Sequence, residues 1–185
     1  MYYHSNEWMS WLKVIFVALL IAIGIRTFFF TPIVVDGASM QPTLHNGDRI
    51  IVNKFSYTLS EPERFDVVVF HASKSENYIK RIVGLPGEHI SYKDEVLYVN
   101  GEPVKEPFLN ERLKALQPPS HYTHDFRLED LPGKYRVIPE GYVLVLGDNR
   151  TNSTDSRKLG LVSLEQILGT AQFVYSPLQD FGFVK

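Results

Sequence analysis

Between Lys13 and Arg26 the chain reads VIFVALLIAIGI, twelve residues from Val14 to Ile25 without a charge. No other feature restricts the fold as much, because such a segment has no polar face to show to water and cannot be an ordinary surface helix. Twelve residues alone fit a signal-peptide core as well as a membrane span. The flanks favour a span. Trp8, Met9, Trp11 and Leu12 precede the run and Thr27 to Phe30 follow it, so 8–30 makes 23 residues, roughly 34 Å of helix at about 1.5 Å per residue. Lys13 and Arg26 are placed to snorkel, and the Trp and Phe residues resemble interface belts. In the rival reading, a cleaved signal peptide, the only small-residue run nearby is Gly37-Ala38-Ser39, beyond a strand-like Pro-Ile-Val-Val. One cation at each end leaves the orientation unspecified by charge. The expected organisation is a short tail over 1–7, a single transmembrane anchor over 8–30 and one globular domain over 31–185.

After Pro32 the pattern changes to short apolar runs broken by turn residues, which predicts a mainly β domain of folded antiparallel sheets or a barrel. Strands are expected at Ile33–Val35, Arg49–Val52, Asp66–Phe70, Tyr78–Gly84, Val96–Val99, Tyr142–Leu146 and Gly169–Tyr175. His45-Asn46-Gly47-Asp48 and Asn100-Gly101 are hairpin signals. Ser163 with Gln166 resembles a capping box and predicts a helix over Ser163–Leu168. Residues 103–135, rich in Pro, Lys and Glu, predict an inserted loop or small β attachment. Lys plus Arg number 19 against 21 Asp plus Glu, so no basic excess points to nucleic acid. The chain has no cysteine, which excludes a disulfide scaffold, a cysteine zinc site and a thiol nucleophile.

Four segments are unusually constrained in composition: Gly37-Ala38-Ser39-Met40-Gln41-Pro42-Thr43-Leu44; Arg64-Phe65-Asp66-Val67-Val68-Val69-Phe70; Tyr78-Ile79-Lys80-Arg81-Ile82-Val83-Gly84-Leu85-Pro86-Gly87-Glu88; and Gly147-Asp148-Asn149-Arg150 continuing through Asn152, Ser153, Asp155, Ser156 and Arg157. In identity and order this set resembles the motifs of the bacterial type I signal peptidases, over most of 8–99 and 137–175. The resemblance implies a membrane-bound serine endopeptidase that removes signal peptides from secretory preproteins after a small-x-small site, with no cofactor. It also implies a cytoplasmic N-terminus and an extracytoplasmic domain at the bilayer surface.

The same resemblance places a Ser/Lys pair at Ser39 and Lys80, 41 residues apart. A lysine must be neutral to act as a base, and burial lowers its pKa because desolvation penalises the ammonium. Strand alternation puts Lys80 and Ile82 on one face and Ile79, Arg81 and Val83 on the other, which turns Arg81 away from the base. Ser153 matches the family position for a hydroxyl against the lysine amine, and Asp155 and Arg157 match a charged pair that holds its loop, with Asp148 and Arg150 beside them. Many members carry Ser two residues before the nucleophile to support the oxyanion. Gly37 stands there instead, leaving the Ser39 N–H and the Gly37 backbone as candidate donors. Ile33, Val35, Met40, Leu44, Val69, Tyr78 and Ile79 are the expected walls of shallow substrate pockets.

Several rival readings are weaker. A Ser39-His45-Asp48 triad would need His45 turned inward from a turn that points it to solvent. The His121 and His124 pair beside Asp125 has no further ligand placed by spacing, and Arg150 stands where a calcium loop needs an oxygen, so no metal is expected. Self-cleaving repressors share the Ser/Lys chemistry but carry a DNA-binding domain where this chain has its apolar segment. A non-catalytic, membrane-tethered peptide-binding β domain is the remaining alternative.

Overall fold

The computed structural model describes residues 7–54, 61–117 and 120–184. Helix α1 (Glu7–Phe29) passes directly into strand β1 (Phe30–Val34). Pro32 forbids further helix and biases Thr31 to extended backbone, so the change of structure falls where the sequence requires it. The described side chains of α1 from Trp8 to Ile23 are exposed on every side, as an all-round apolar helix would be in water. Among the described residues, no helix is long and apolar enough to cross a membrane. The helix expected over 8–30 is therefore present, whereas the span is not met within that range.

The remaining elements are β2 (Arg49–Asn53), β3 (Val67–His71), β4 (Asn77–Gly84), β5 (Ile90–Lys93), β6 (Val96–Val99), β7 (Glu102–Val104), α2 (Asn110–Lys114), β8 (Phe126–Arg127), β9 (Tyr142–Leu146), α3 (Ser156–Leu159), β10 (Val162–Ser163), β11 (Ile167–Ser176) and β12 (Gly182–Phe183). They form two antiparallel sheets. The larger has the order β1-β2-β11-β3-β4-β9-β10 with β12 against β11, and the smaller has the order β7-β6-β5-β8.

The larger sheet is buried on both faces at its centre, which is why DVVVF and YVLVL read as continuous apolar runs rather than alternating ones. On β9, Leu144 and Leu146 face a core shared with Ile90, Tyr92 and Leu97 of the smaller sheet. Val143 and Val145 face the opposite core with Val68, Phe70 and Ile82. A third core, containing Val35, Met40, Leu44, Ile50, Val52 and Val69, underlies the end of β1. Long strand β11 serves both β2 and β3. It bends at Gly169, where a Cβ would lie 2.1 Å from the Asn53 carbonyl oxygen, so only glycine fits.

One expectation needs correction and two features need adding. Ser163 and Gln166 do form a capping box, but over a single 3-10 turn (Leu164–Gln166), because Ile167 is already the first residue of β11. The β5–β6 hairpin went unpredicted because its turn is Asp94-Glu95, both at positive φ, without the usual glycine. The Glu95 carboxylate accepts the Tyr122 N–H at 2.7 Å, a non-local bond that supports the turn. Finally, the described residues of 103–135 form no separate core. They supply β7 and β8, the two edges of the smaller sheet, and they close its core with Leu128 and Leu131.

Candidate active site

The chain after β1 folds back on the turn that leads into β2. Val35 and Asp48 join by a backbone bond of 2.8 Å, Gly47 N–H donates to the Val35 carbonyl at 2.9 Å, and Gly37 N–H donates to Asn46 Oδ1 at 2.9 Å. From the other side, Asn149 N–H donates to the Ser39 carbonyl and Asn149 Nδ2 to the Ala38 carbonyl, each at 3.0 Å. The segment carrying Ser39 is thus clamped between the His45–Asp48 turn and the last of the constrained segments. A Cβ on Gly147 would lie 2.3 Å from Ser153 Oγ and 2.5 Å from the Ser39 carbonyl oxygen, so this position admits no side chain without displacing Ser39.

Lys80 Nζ lies 2.8 Å from Ser39 Oγ and 2.8 Å from the Ile79 carbonyl oxygen. The residue is only 3% exposed. In the β3–β4 register Lys80 lies opposite Val68, and Tyr78 and Ile82 flank it on the same face. Burial against these apolar groups pulls the amine down to about 8, and the charges of Asp155 and Asp148 keep it from falling further. Arg81 turns to the opposite face, as alternation requires, and makes a two-pronged pair with Asp148 at 2.9 and 2.7 Å. Its Nη1 donates to the Phe65 carbonyl at 2.9 Å, and its guanidinium covers the Phe108 ring at 3.9 Å.

Two further ion pairs complete the scaffold. Arg150 is 2% exposed, donates Nε to the Gly147 carbonyl at 3.0 Å and pairs with Glu106, which also accepts the Tyr92 hydroxyl at 2.6 Å. Asp155 accepts Gly147 N–H at 3.0 Å and Arg157 at 2.8 and 2.7 Å. Burial works to raise the Asp155 carboxyl, but the Arg157 bonds and charge outweigh it and hold the group below its usual range. The four expected loop residues thus enter three separate pairs: Asp148 with Arg81, Arg150 with Glu106, and Asp155 with Arg157.

A cleft of about 490 Å³ opens over Ser39 and Lys80. Six of the seven expected wall residues line it: Ile33, Val35, Met40, Val69, Tyr78 and Ile79. Leu44 does not; it is fully buried in the core below. Ser153 lines the same cleft, but its Oγ is buried and makes no well-formed hydrogen bond, so the expected bond to the Lys80 amine is not formed here. Its hydroxyl instead lies close enough to Asp155 to favour the ionised carboxyl. The Gly37 N–H is committed to Asn46, which removes it as an oxyanion donor in this arrangement. The Ser39 N–H has no acceptor among the described residues. His45 faces Asp180, with Nδ1 and Oδ1 3.9 Å apart, and the partner of Ser39 is Lys80; this geometry does not assemble the Ser39-His45-Asp48 triad.

Sequence reasoning missed Glu106, Tyr92, Tyr122, Thr123 and the role of Thr43. Thr43 donates its hydroxyl to Asp148, Tyr122 donates to the Asp148 carbonyl at 2.7 Å, and Thr123 Oγ1 accepts from Arg150 at 3.3 Å. One signal was available: a buried Arg150 demands an anion, and Glu106 stands among apolar neighbours in Glu-Pro-Phe-Leu.

Known proteins resemble this chain over most of its length. The family model described as "Signal peptidase, peptidase S26" matches residues 8–176. A signal peptidase I of Bacillus caldolyticus is 48% identical over 168 residues, covering 91% of each chain. A signal peptidase IB of Staphylococcus aureus is 43% identical over 182 residues, covering 97% of this chain and 95% of its own. The crystal structure of a signal peptidase I from Enterococcus faecalis superposes with a TM-score of 0.57 at 38% identity, covering 60% of this chain and 97% of the other. With the family match running through both sheets and all four constrained segments, the chain belongs to the signal peptidases of family S26.

Proposed function

We propose that Ser39 is the nucleophile and Lys80 the general base of a signal-peptide-removing endopeptidase. The observation that carries this is the 2.8 Å approach of a buried lysine amine to a serine hydroxyl at the floor of an open cleft. With a pKa of about 8, roughly a tenth of the amine is neutral at pH 7. Neutral Lys80 takes the Ser39 proton as Oγ bonds to the scissile carbonyl carbon. The Ser39 N–H faces the developing oxyanion. The ammonium returns the proton to the departing amine, which leaves a Ser39 ester. Water, deprotonated by the same amine, adds to the ester carbon, and collapse releases the carboxylate product and restores the Ser39 hydroxyl. Asp148, Arg150, Asp155 and Arg157 hold the segments that position this pair, and Ser153 completes the floor beside Lys80.

The substrate is an extended peptide ending in a small-x-small site. β1 stands at one edge of its sheet, and β9 pairs with β4 only from Arg81 onward, so both Ile33–Val34 and Asn77–Ile79 offer unpaired strand edge to the cleft. Alternation sends the residues one and three before the cut to the same wall, built from Ile33, Val35, Met40, Val69, Tyr78 and Ile79, where large side chains do not fit. The preproteins reach this site from a bilayer that the exposed apolar surface of α1 binds, with residues 31–185 forming the catalytic domain on the extracytoplasmic side. Added protease should digest that domain in cells stripped of their wall; protection would reverse the orientation. A non-catalytic peptide-binding role is not favoured, since binding alone gives no reason to bury a lysine beside a serine. The deciding experiment is cleavage of an exported precursor series with Ala replaced by Leu or Phe at the two small positions. Equal cleavage across the series would rule out the pocket assignment.

A further inference from the structure

The His45-Asn46-Gly47-Asp48 turn meets a distant part of the chain on the surface away from the cleft. One ligand-type atom from each of His45, Asp48 and Asp180 lies within 4.8 Å of the other two. His45 Nδ1 and Asp180 Oδ1 are 3.9 Å apart, too far for a hydrogen bond. Two ligands of one tetrahedral zinc-type ion, with bonds of about 2.0–2.1 Å, sit roughly 3.4 Å apart, so closure asks for a shift of only about half an ångström in this pair. His45 and Asp180 have room for it, with side chains 49% and 29% exposed. Asp48 is fixed by contrast: it is 1% exposed, and its Oδ2 accepts the His45 N–H at 2.8 Å. Ser176 and Gln179 border the same depression with neutral oxygens, and Arg49 borders it with a cation, which two carboxylates outnumber.

We propose that His45, Asp48 and Asp180 form a site for a first-row divalent ion of the zinc type, with water in the fourth position. An imidazole beside two carboxylates selects such an ion over calcium or magnesium, which take oxygen shells. The ion ties the 3-10 turn after β11 (Leu178–Asp180) to the turn before β2. That second turn is the brace of the nucleophile segment: Asn46, between two of the ligands, holds the Gly37 N–H, while Asp48 and Gly47 hold Val35 through their backbones. Occupancy therefore stiffens the segment that carries Ser39 from behind. None of this depends on the roles proposed for Ser39 and Lys80.

The test is zinc titration into the untagged full chain in detergent, read by calorimetry, by thermal unfolding and by hydrogen exchange. One equivalent should bind, the unfolding temperature should rise, and exchange should slow over 35–39 as well as 45–48. His45→Ala and Asp180→Asn should each weaken binding at least tenfold and abolish both responses, while His121→Ala should keep them. His45 is exposed and Asp180 half-buried, and the isosteric Asp180→Asn preserves the shape of the turn. Absence of one-to-one binding, or equal binding in Asp180→Asn, would overturn the site. Binding without slower exchange over 35–39 would overturn the link to the nucleophile segment.

Discussion

Replacing Lys80 by Met should expose a stability cost that the proposed chemistry requires. The Lys80 amine falls from the ordinary lysine value of 10.5 to about 8 because burial penalises its charge. At 1.36 kcal/mol per pKa unit, that difference corresponds to about 3 kcal/mol against the protonated native chain. Below pH 8 both native and unfolded chains hold the proton and the penalty is fully present. Between about 8 and 10.5 the unfolded chain binds more protons than the native one, so wild-type stability rises with pH. Met has no such proton, and its loss of the contacts to Ser39 Oγ and the Ile79 carbonyl is the same at every pH. Urea unfolding of both proteins in mild detergent at pH 7 and pH 10.5 isolates the effect, because other titrating groups cancel in the difference. Wild type should gain about 3 kcal/mol relative to Lys80→Met over that interval. A difference that stays constant with pH would refute a depressed Lys80 pKa, and with it the argument that a neutral amine is accessible near neutrality.

Other outcomes follow from the same geometry. Cleavage by wild type should rise about tenfold per pH unit and level off above about 8, with Ser39→Ala and Lys80→Arg inactive; a limb near 6.5 would instead indicate histidine. Gly147→Ala should lower kcat by about 100-fold or more, since its methyl would meet Ser153 Oγ and the Ser39 carbonyl, and single-turnover kinetics would show the loss in the chemical step. Glu106→Ala should destabilise the fold by about 3–5 kcal/mol in urea unfolding by stranding Arg150, whereas Glu106→Gln should cost less.

The legible parts of the molecule were those governed by local chemistry. β6 and β9 begin and end where their apolar runs do, and Asn100-Gly101 makes its hairpin because both residues take positive φ readily. Ser39 and Lys80 were legible through the motif resemblance, and six of the seven wall residues line the same cleft because they adjoin that pair along the chain or across the β3–β4 register. Leu44 was misplaced since periodicity does not extend through the turn after Ser39. The Gly37 amide and the Ser153 hydroxyl were misjudged because their partners depend on a side chain nine residues away in one case and on a close backbone approach at Gly147 in the other. Glu106 and Tyr92 were invisible as site residues because an ion pair between two distant loops leaves no spacing to read.

The Arg150–Glu106 pair makes the smaller sheet a tenant with obligations to its neighbour. Its outer surface is free to drift, lengthen or acquire new contacts, because nothing in the cleft is built from it. Its inner side is not, since Glu106, Tyr122 and Thr123 bond the segment that follows β9, and Tyr92 donates its hydroxyl to Glu106 with its ring beside the Arg150 guanidinium. Grafting this sheet between relatives should succeed only when those four travel together with the arginine they hold, so the unit of exchange is set by a buried charge and not by the boundary of the sheet.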